Sequence, residues 1–187
     1  LADKRNKELL EQALLIMKEC YGEHHVEVAK LKENLSLVYG CFGEPNKKRI
    51  LLEEVLRIMI DFYGEHHIEV AGTLRNLANA YGALEEPHRQ KELLEQALAI
   101  QKLHYGPQHI EVAGTLEDLS IVYYSFDNFE MQKELLDQVF GIKKVFYPEN
   151  HEEIAKTLVN FGSCNYGLKN IARAKECWEQ ALPIIKE

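Results

Sequence analysis

One feature constrains this chain more than any other: it repeats itself every 42 residues. The segment Lys7–Leu14 (KELLEQAL) returns as RILLEEVL from Arg49, KELLEQAL from Lys91, KELLDQVF from Lys133 and KECWEQAL from Lys175. A second block keeps the step: YGEHHVEVA from Tyr21, YGEHHIEVA from Tyr63, YGPQHIEVA from Tyr105 and YPENHEEIA from Tyr147. So does a third: ENLSLVYG from Glu33, RNLANAYG from Arg75, EDLSIVYY from Glu117 and VNFGSCNY from Val159. Three blocks in one register, with no gap, define a tandem array.

Each unit carries two helical patterns. In helix A, predicted over about 26–40 and its equivalents, Ala71, Leu74, Leu77, Ala78 and Tyr81 recur at spacings of three and four, which is one helical face. Glu27, Glu69, Glu111 and Glu153 stand near its start, where a negative charge suits the helix dipole. In helix B, predicted over about 47–62, Leu51, Leu52, Val55, Leu56, Ile58 and Met59 make the wider stripe of a helix buried on two sides. Pro45 and Pro87 stand where helix B begins, a position that needs no intrahelical N–H partner. Gly22, Gly64 and Gly106 follow it as terminating glycines. No run alternates with period two, so no sheet is expected. A single hairpin cannot bury both faces, but stacked hairpins can.

The expected fold is therefore all-α: a solenoid of stacked helix-turn-helix units with about nine helices. Residues 1–21 would be helix B of an incomplete unit. Repeats follow at 22–63, 64–105, 106–147 and 148–187, together one solenoid domain. Neither end looks like a polar cap and the chain starts at Leu1, so a piece of a longer array is expected.

The 187 residues, 46% apolar and 28% charged, suit a soluble folded protein. No apolar run approaches the roughly 18 residues of a membrane helix, so no membrane insertion is expected. Leu1–Asn6 has no apolar signal core, so no secretory signal is expected. A formal net charge of −8 argues against nucleic acid as a partner. Four cysteines, none in a Cys-x-x-Cys pair, fit a reducing, cytoplasmic setting.

Units with Asn-Leu-Ala-x-x-Tyr in the first helix resemble tetratricopeptide repeats. The 42-residue unit, with Tyr-Gly-x-x-His before helix A, resembles the kinesin-light-chain and nephrocystin-3 type. The matching motifs are Gly64–Ala71 and Thr73–Tyr81, and the resemblance covers essentially the whole chain. Two features depart from the family. Val26, Ile68, Ile110 and Glu152 stand where the His is usually followed by Pro. The usual small residue early in helix B is present only as Ala174, with Lys48, Gln90 and Gln132 elsewhere. The resemblance implies a right-handed superhelix whose concave side is lined by A helices. It also implies a non-catalytic scaffold or adaptor for a protein or extended peptide, an analogy at the level of fold.

Mapped onto that concave side, the candidate binding residues are Lys30, Asn34, Arg75, Asn76, Asn79, Asp118, Tyr124, Lys156, Asn160 and Tyr166. Asn34, Asn76 and Asn160 share one position, with Asp118 in the third unit. The resemblance makes this a ligand-contacting position. A carboxamide offers two donors and an acceptor, which suits the backbone of an extended peptide. Equally, these side chains could bond a neighbouring A helix. Lys30, Arg75 and Lys156 would select acidic groups, and Glu117 with Asp118 a basic one. Tyr124 and Tyr166 replace Gly40 and Gly82, so the groove would be open in one half and walled by rings in the other, either as anchors for a ligand or as packing between A helices. Two other functions remain open: self-association through uncapped ends, and an accessory arm of a larger enzyme or signalling protein.

No catalysis and no cofactor are expected. No phosphate loop, Gly-x-Ser-x-Gly or dinucleotide fingerprint occurs. His25, His67, His109 and His151 recur once per unit, too far apart to converge on a metal ion, so each is expected to serve the turn before helix A. His24 and His66 should be exposed. By register Cys20, Cys164 and Cys177 fall in apolar slots and Trp178 in the core, which leaves Cys41, near the groove edge, as the one candidate reactive thiol, with nothing near it in sequence to activate it.

Overall fold

The structure is a computed structural model and describes residues 2–185. Among the described residues there are nine helices and no strand. They are α1 (Ala2–Tyr21), α2 (Val26–Cys41), α3 (Pro45–Tyr63), α4 (Ile68–Ala83), α5 (Pro87–Tyr105), α6 (Ile110–Ser125), α7 (Phe129–Phe146), α8 (Glu152–Gly167) and α9 (Ile171–Ile185). The even-numbered helices are the predicted A helices and the odd-numbered ones the B helices. The chain forms two compact units, one up to Ile100 and one from Gln101 onward. In the first, α2 packs on α1 and α3, and α3 on α4; in the second, α7 packs on α6 and α8, and α8 on α9.

Each helix starts and stops for a reason that recurs with the period. His25, His67, His109 and His151 are the N-caps of the four A helices. The Nδ1 of each accepts the backbone N–H two residues on, at 3.2–3.3 Å, from Glu27, Glu69, Glu111 and Glu153. This satisfies an N–H the helix itself cannot pair. Each ring also lies against the tyrosine four residues earlier, with centroids 4.3–4.9 Å apart.

Helix B starts in two ways. Before α3, Glu44 makes no side-chain cap and Pro45 takes the first helical position. Before α7, Asn128 Oδ1 accepts the Met131 N–H, and before α9 Asn170 Oδ1 accepts that of Arg173. Proline removes the N–H of the first helical position, whereas asparagine satisfies the N–H two residues further on.

The turn from A to B holds a feature the sequence conceals. Gly43, Glu85, Asp127 and Lys169 share one register position and all have left-handed backbone, with φ between 55 and 68°. The residue after each returns its N–H to the carbonyl of Tyr39, Tyr81, Tyr123 or Asn165 at 2.8–3.0 Å. That bond closes the helix end and fixes the hairpin. Only one of the four positions is glycine.

The core follows the predicted stripes. Leu74, Leu77 and Ala78 on α4, and Leu52, Val55, Ile58 and Met59 on α3, are buried. Three expectations from register are corrected. Cys20 is exposed, as are its equivalents Phe62 and Phe146, so this position in the last turn of helix B faces solvent although its side chains are apolar. Cys41 is exposed as well, so it does not stand alone as an exposed thiol. Cys177 is only partly covered. Trp178 is 39% exposed although its equivalents Leu52, Leu94 and Leu136 are fully buried. Its ring covers Gly162, where an added Cβ would collide with it, and its Nε1 donates to the Val159 carbonyl at 3.3 Å. Cys164 is buried as expected, and burial pushes its thiol up to about 11.

Candidate functional site

The A helices meet the core along one face and leave another to solvent. In the first unit that outer face carries Asn34 and Leu37 on α2 and Asn79 on α4, all exposed. Gly40 and Gly82 lie on the same side but are not openings. Lys48 comes close over Gly40, and a Cβ at Gly82 would stand 2.7 Å from Gln90 Nε2. These glycines make room for helix B.

Asn76 does not project freely. Its Nδ2 donates to Glu33 Oε1 at 3.0 Å, and the Thr73 hydroxyl lies 3.2 Å from the same oxygen. The second unit repeats the arrangement: Asn160 donates to Glu117 Oε1 at 3.3 Å, with Thr157 at 3.4 Å. The carboxylate of one A helix thus ties to the next A helix in each unit. Asn34, at the same register position, is exposed.

Glu117 also receives the Lys143 ammonium at 2.7 Å, and Lys143 reaches Glu153 at 2.9 Å. Lys143 is buried at the position held by Met59 and Gln101. Lys32, buried where Leu74 and Leu116 stand in other units, pairs with Glu54 at 2.8 Å. A buried ammonium is tolerated only with such partners. Sequence reasoning missed both lysines, and it missed Glu33 and Glu117 as hubs. One signal could have found the hubs: Glu, Thr and Asn recur together as Glu33, Thr73, Asn76 and, two periods on, as Glu117, Thr157, Asn160.

Two of the three cations proposed to read a ligand, Lys30 and Lys156, are answered within their own helices. Lys30 binds Glu27 at 2.9 Å, and Lys156 binds Glu153 at 2.7 Å and Glu152 at 3.3 Å. Hydrogen bonds from Lys156 and then Lys143 bring the Glu153 carboxyl down to about 2. Arg75 and Asp118 are half-buried and each is engaged in a polar interaction. In the second unit the outer face is aromatic. Tyr124 is 47% and Tyr166 59% exposed, with Ile121 at 52%. Tyr124 lies 5.8 Å from Phe129, and Tyr166 lies 6.2 Å from Trp178, between ring centroids.

A second tyrosine series is structural. Tyr39 donates to Glu11 at 3.0 Å and Tyr81 to Glu53 at 2.7 Å, each reaching back to the preceding B helix. Burial raises the Tyr39 hydroxyl to about 12, and its bond to Glu11 adds to this. Burial would raise Glu53, but hydrogen bonds from Tyr81 and Arg49 outweigh it and leave the carboxyl below its ordinary value.

A cavity of about 410 Å³ in the first unit is lined by Glu23, His24, Lys32, Glu54 and Arg57. Its charges are largely answered by one another, as in Lys32 with Glu54. Among the described residues, no group of three or more His, Cys, Asp or Glu could hold a metal ion. Nor is any helix there long and apolar enough to cross a membrane.

Comparison with known proteins agrees with this architecture. Residues 70–111 match the tetratricopeptide repeat family model. No curated protein matches the chain. Among solved structures, one similar in fold is a kinesin-light-chain protein with nearly identical TPR-like repeats from Podosopora anserina. It is 24% identical, with a TM-score of 0.83, over 97% of this chain and 86% of that one. BtubC (BKLC) from P. vanneervenii is 20% identical, with a TM-score of 0.85, over 99% and 74% of the two chains. MamA is more distant, at 18% identity and a TM-score of 0.68, over 98% and 92%. By its period, its helix pairs and this likeness, the chain has an all-α fold of tetratricopeptide-like helix pairs, similar to that of the kinesin-light-chain repeats.

Proposed function

We propose that this chain is a non-catalytic, cytoplasmic scaffold that holds a protein segment against the outer face of its A helices. One observation carries the reading. In the second unit Ile121, Tyr124 and Tyr166 stand exposed on α6 and α8, helices that bury residues such as Leu116 and Ile154. Large apolar groups grouped on one side of a fold are characteristic of interfaces. In the first unit Leu37 is exposed on α2, and Asn34 and Asn79 supply exposed carboxamides on α2 and α4, suited to the backbone of an extended ligand. Asn76 and Asn160 act one step back: by engaging Glu33 and Glu117 they set the spacing of neighbouring A helices. The repeats at 22–63, 64–105, 106–147 and 148–187 serve this role as one domain.

The test is a peptide-library selection on the protein, repeated with Asn34→Ala plus Asn79→Ala. Enriched sequences that share a motif and lose affinity for the double variant support the reading. A motif whose affinity is unchanged in the variant counts against it.

A specific observation favours one further reading, self-association through α9. Phe129, Phe140 and Lys143 of α7 contact α8, against Gly167, Phe161 and Glu153. Their equivalents on α9 are Ile171, Leu182 and Ile185, all exposed. Sedimentation that shows a concentration-dependent dimer lost in Leu182→Glu supports it; a monomer throughout removes it.

A further inference from the structure

The first hairpin combines a thiol and an amine, a pairing that its equivalents lack. Cys41 ends α2 and is exposed. Ala83, Ser125 and Gly167 hold its register position in the other repeats. Lys48 lies in the first turn of α3, where the other repeats have Gln90, Gln132 and Ala174. The turn between the helices brings Lys48 back over the end of α2. A Cβ added to Gly40 would stand 3.3 Å from its Cδ and 3.6 Å from its Nζ. Gly40 immediately precedes Cys41, and neighbouring Cα atoms are about 3.8 Å apart. The amine is thus roughly one residue's span from the carbon that carries the thiol arm, a gap that side-chain rotation of a lysine and a cysteine can close.

Lys48 is also left without a carboxylate. Lys7 and Lys47 both take Glu44, the nearest acidic residue in the turn. Among the described residues the Lys48 ammonium makes neither an ion pair nor a hydrogen bond. The side chain is half-buried, and burial pushes its ammonium below the ordinary lysine value, with the nearby Cys41 acting against this. Only a neutral amine is a nucleophile, and desolvated lysines are the ones that supply it near neutral pH. The exposed thiol meets a different need, because a thiolate exchanges readily with an acyl thioester.

We propose that Cys41 and Lys48 form a modification site at which an acyl group from a small thioester is taken up by the thiol and passed to the amine. In the first step the Cys41 sulfur attacks the thioester carbonyl. A new carbon–sulfur bond forms, the old one breaks, and the donor leaves as a thiol with the proton that Cys41 gave up. In the second step the Lys48 Nζ attacks the Cys41 thioester. A carbon–nitrogen bond forms, the bond to Cys41 breaks, and the amine's proton returns to the sulfur. Each protein reacts once, and no oxidant or reductant is needed. The product is a neutral amide. That is the kind of group that Gln90 and Gln132 already place at this position.

The test is incubation of the protein with acetyl-coenzyme A, with acetylation at each lysine followed by fragment-ion mass spectrometry. Lys48 should gain the acetyl group at least tenfold faster than Lys175, an exposed lysine of α9. Cys41→Ser should bring Lys48 down to the Lys175 rate. Lys48→Gln should leave the acetyl group on Cys41, as a thioester that hydroxylamine removes. Ser125 and Gln90 stand at these two positions in other repeats, so both variants keep the hairpin. A Lys48 rate equal to that of Lys175, or one unchanged in Cys41→Ser, overturns the proposal. So does the absence of a Cys41 thioester in Lys48→Gln.

Discussion

Four histidines do the same small task, and single residues decide much of the stability of each hairpin. Because the imidazole Nδ1 accepts an otherwise unpaired N–H, His67→Ala should cost about 1 kcal/mol in urea unfolding, while His67→Asn should cost much less. Equal losses for the two would mean that stacking on Tyr63, and not the cap, is what matters. The Glu117 carboxylate faces a larger demand. Removing it leaves the Lys143 ammonium buried with only Glu153, so Glu117→Ala should cost about 3 kcal/mol. Adding Lys143→Met, the residue found at the equivalent Met59, should recover much of that loss. Failure to recover would show that the bonds from Asn160 and Thr157 carry the stability instead. Glu153 sets an acid limit. Its folded pKa of about 2 lies below its ordinary value of 4.5, so its stabilisation is complete above that value and is lost as pH falls towards 2. In acid titrations Glu153→Gln should flatten this part of the curve; an unchanged slope would remove the ion pairs as its cause. The residue scale is also where the sequence is least readable. A period shows that Asn76 recurs at Asn160, but not that its partner lies one repeat and one residue earlier in the chain. Lys32 and Lys143 occupy slots that are apolar in other units, so composition marks them as surface residues until their carboxylates are seen.

At the scale of the element, helices and their limits were legible because the 3.6-residue stripe, the prolines and the histidines all agree with one register. The predicted helices A and B match α2 through α9 to within a few residues. The A-to-B turns were not legible in this way. Left-handed backbone is expected at glycine, yet Glu85, Asp127 and Lys169 adopt it because closing the hairpin outweighs the local strain. The glycines after helix B are the opposite case. Gly64 has φ 87° and ψ 155°, a region other residues scarcely reach. Gly64→Ala should therefore lower stability by about 1–3 kcal/mol, measured by thermal or urea unfolding. A loss of a few tenths would show that the turn can adopt the backbone used in the fourth unit, where Pro148 stands at this position and Tyr147 caps the helix in extended conformation.

At the scale of the molecule, a periodic sequence dictates a periodic core, and function is left to whatever breaks the period. Leu37, Asn79, Ile121 and Ser163 share one A-helix position, and Gly40, Gly82, Tyr124 and Tyr166 share another. Such variation serves no common packing need, which is why the fold could be read from sequence while the ligand could not. The face, however, can be tested directly. Leu103 and Val145 are exposed apolar residues on the B helices, and they provide an internal control for Ile121 on an A helix. A photo-crosslinking amino acid placed at Ile121, or in separate proteins at Leu103 or Val145, would be irradiated with a library-selected peptide bound. Crosslinks from Ile121 with none from Leu103 or Val145 are the predicted result. Crosslinks confined to Leu103 or Val145 would place the ligand on the B helices and contradict the account.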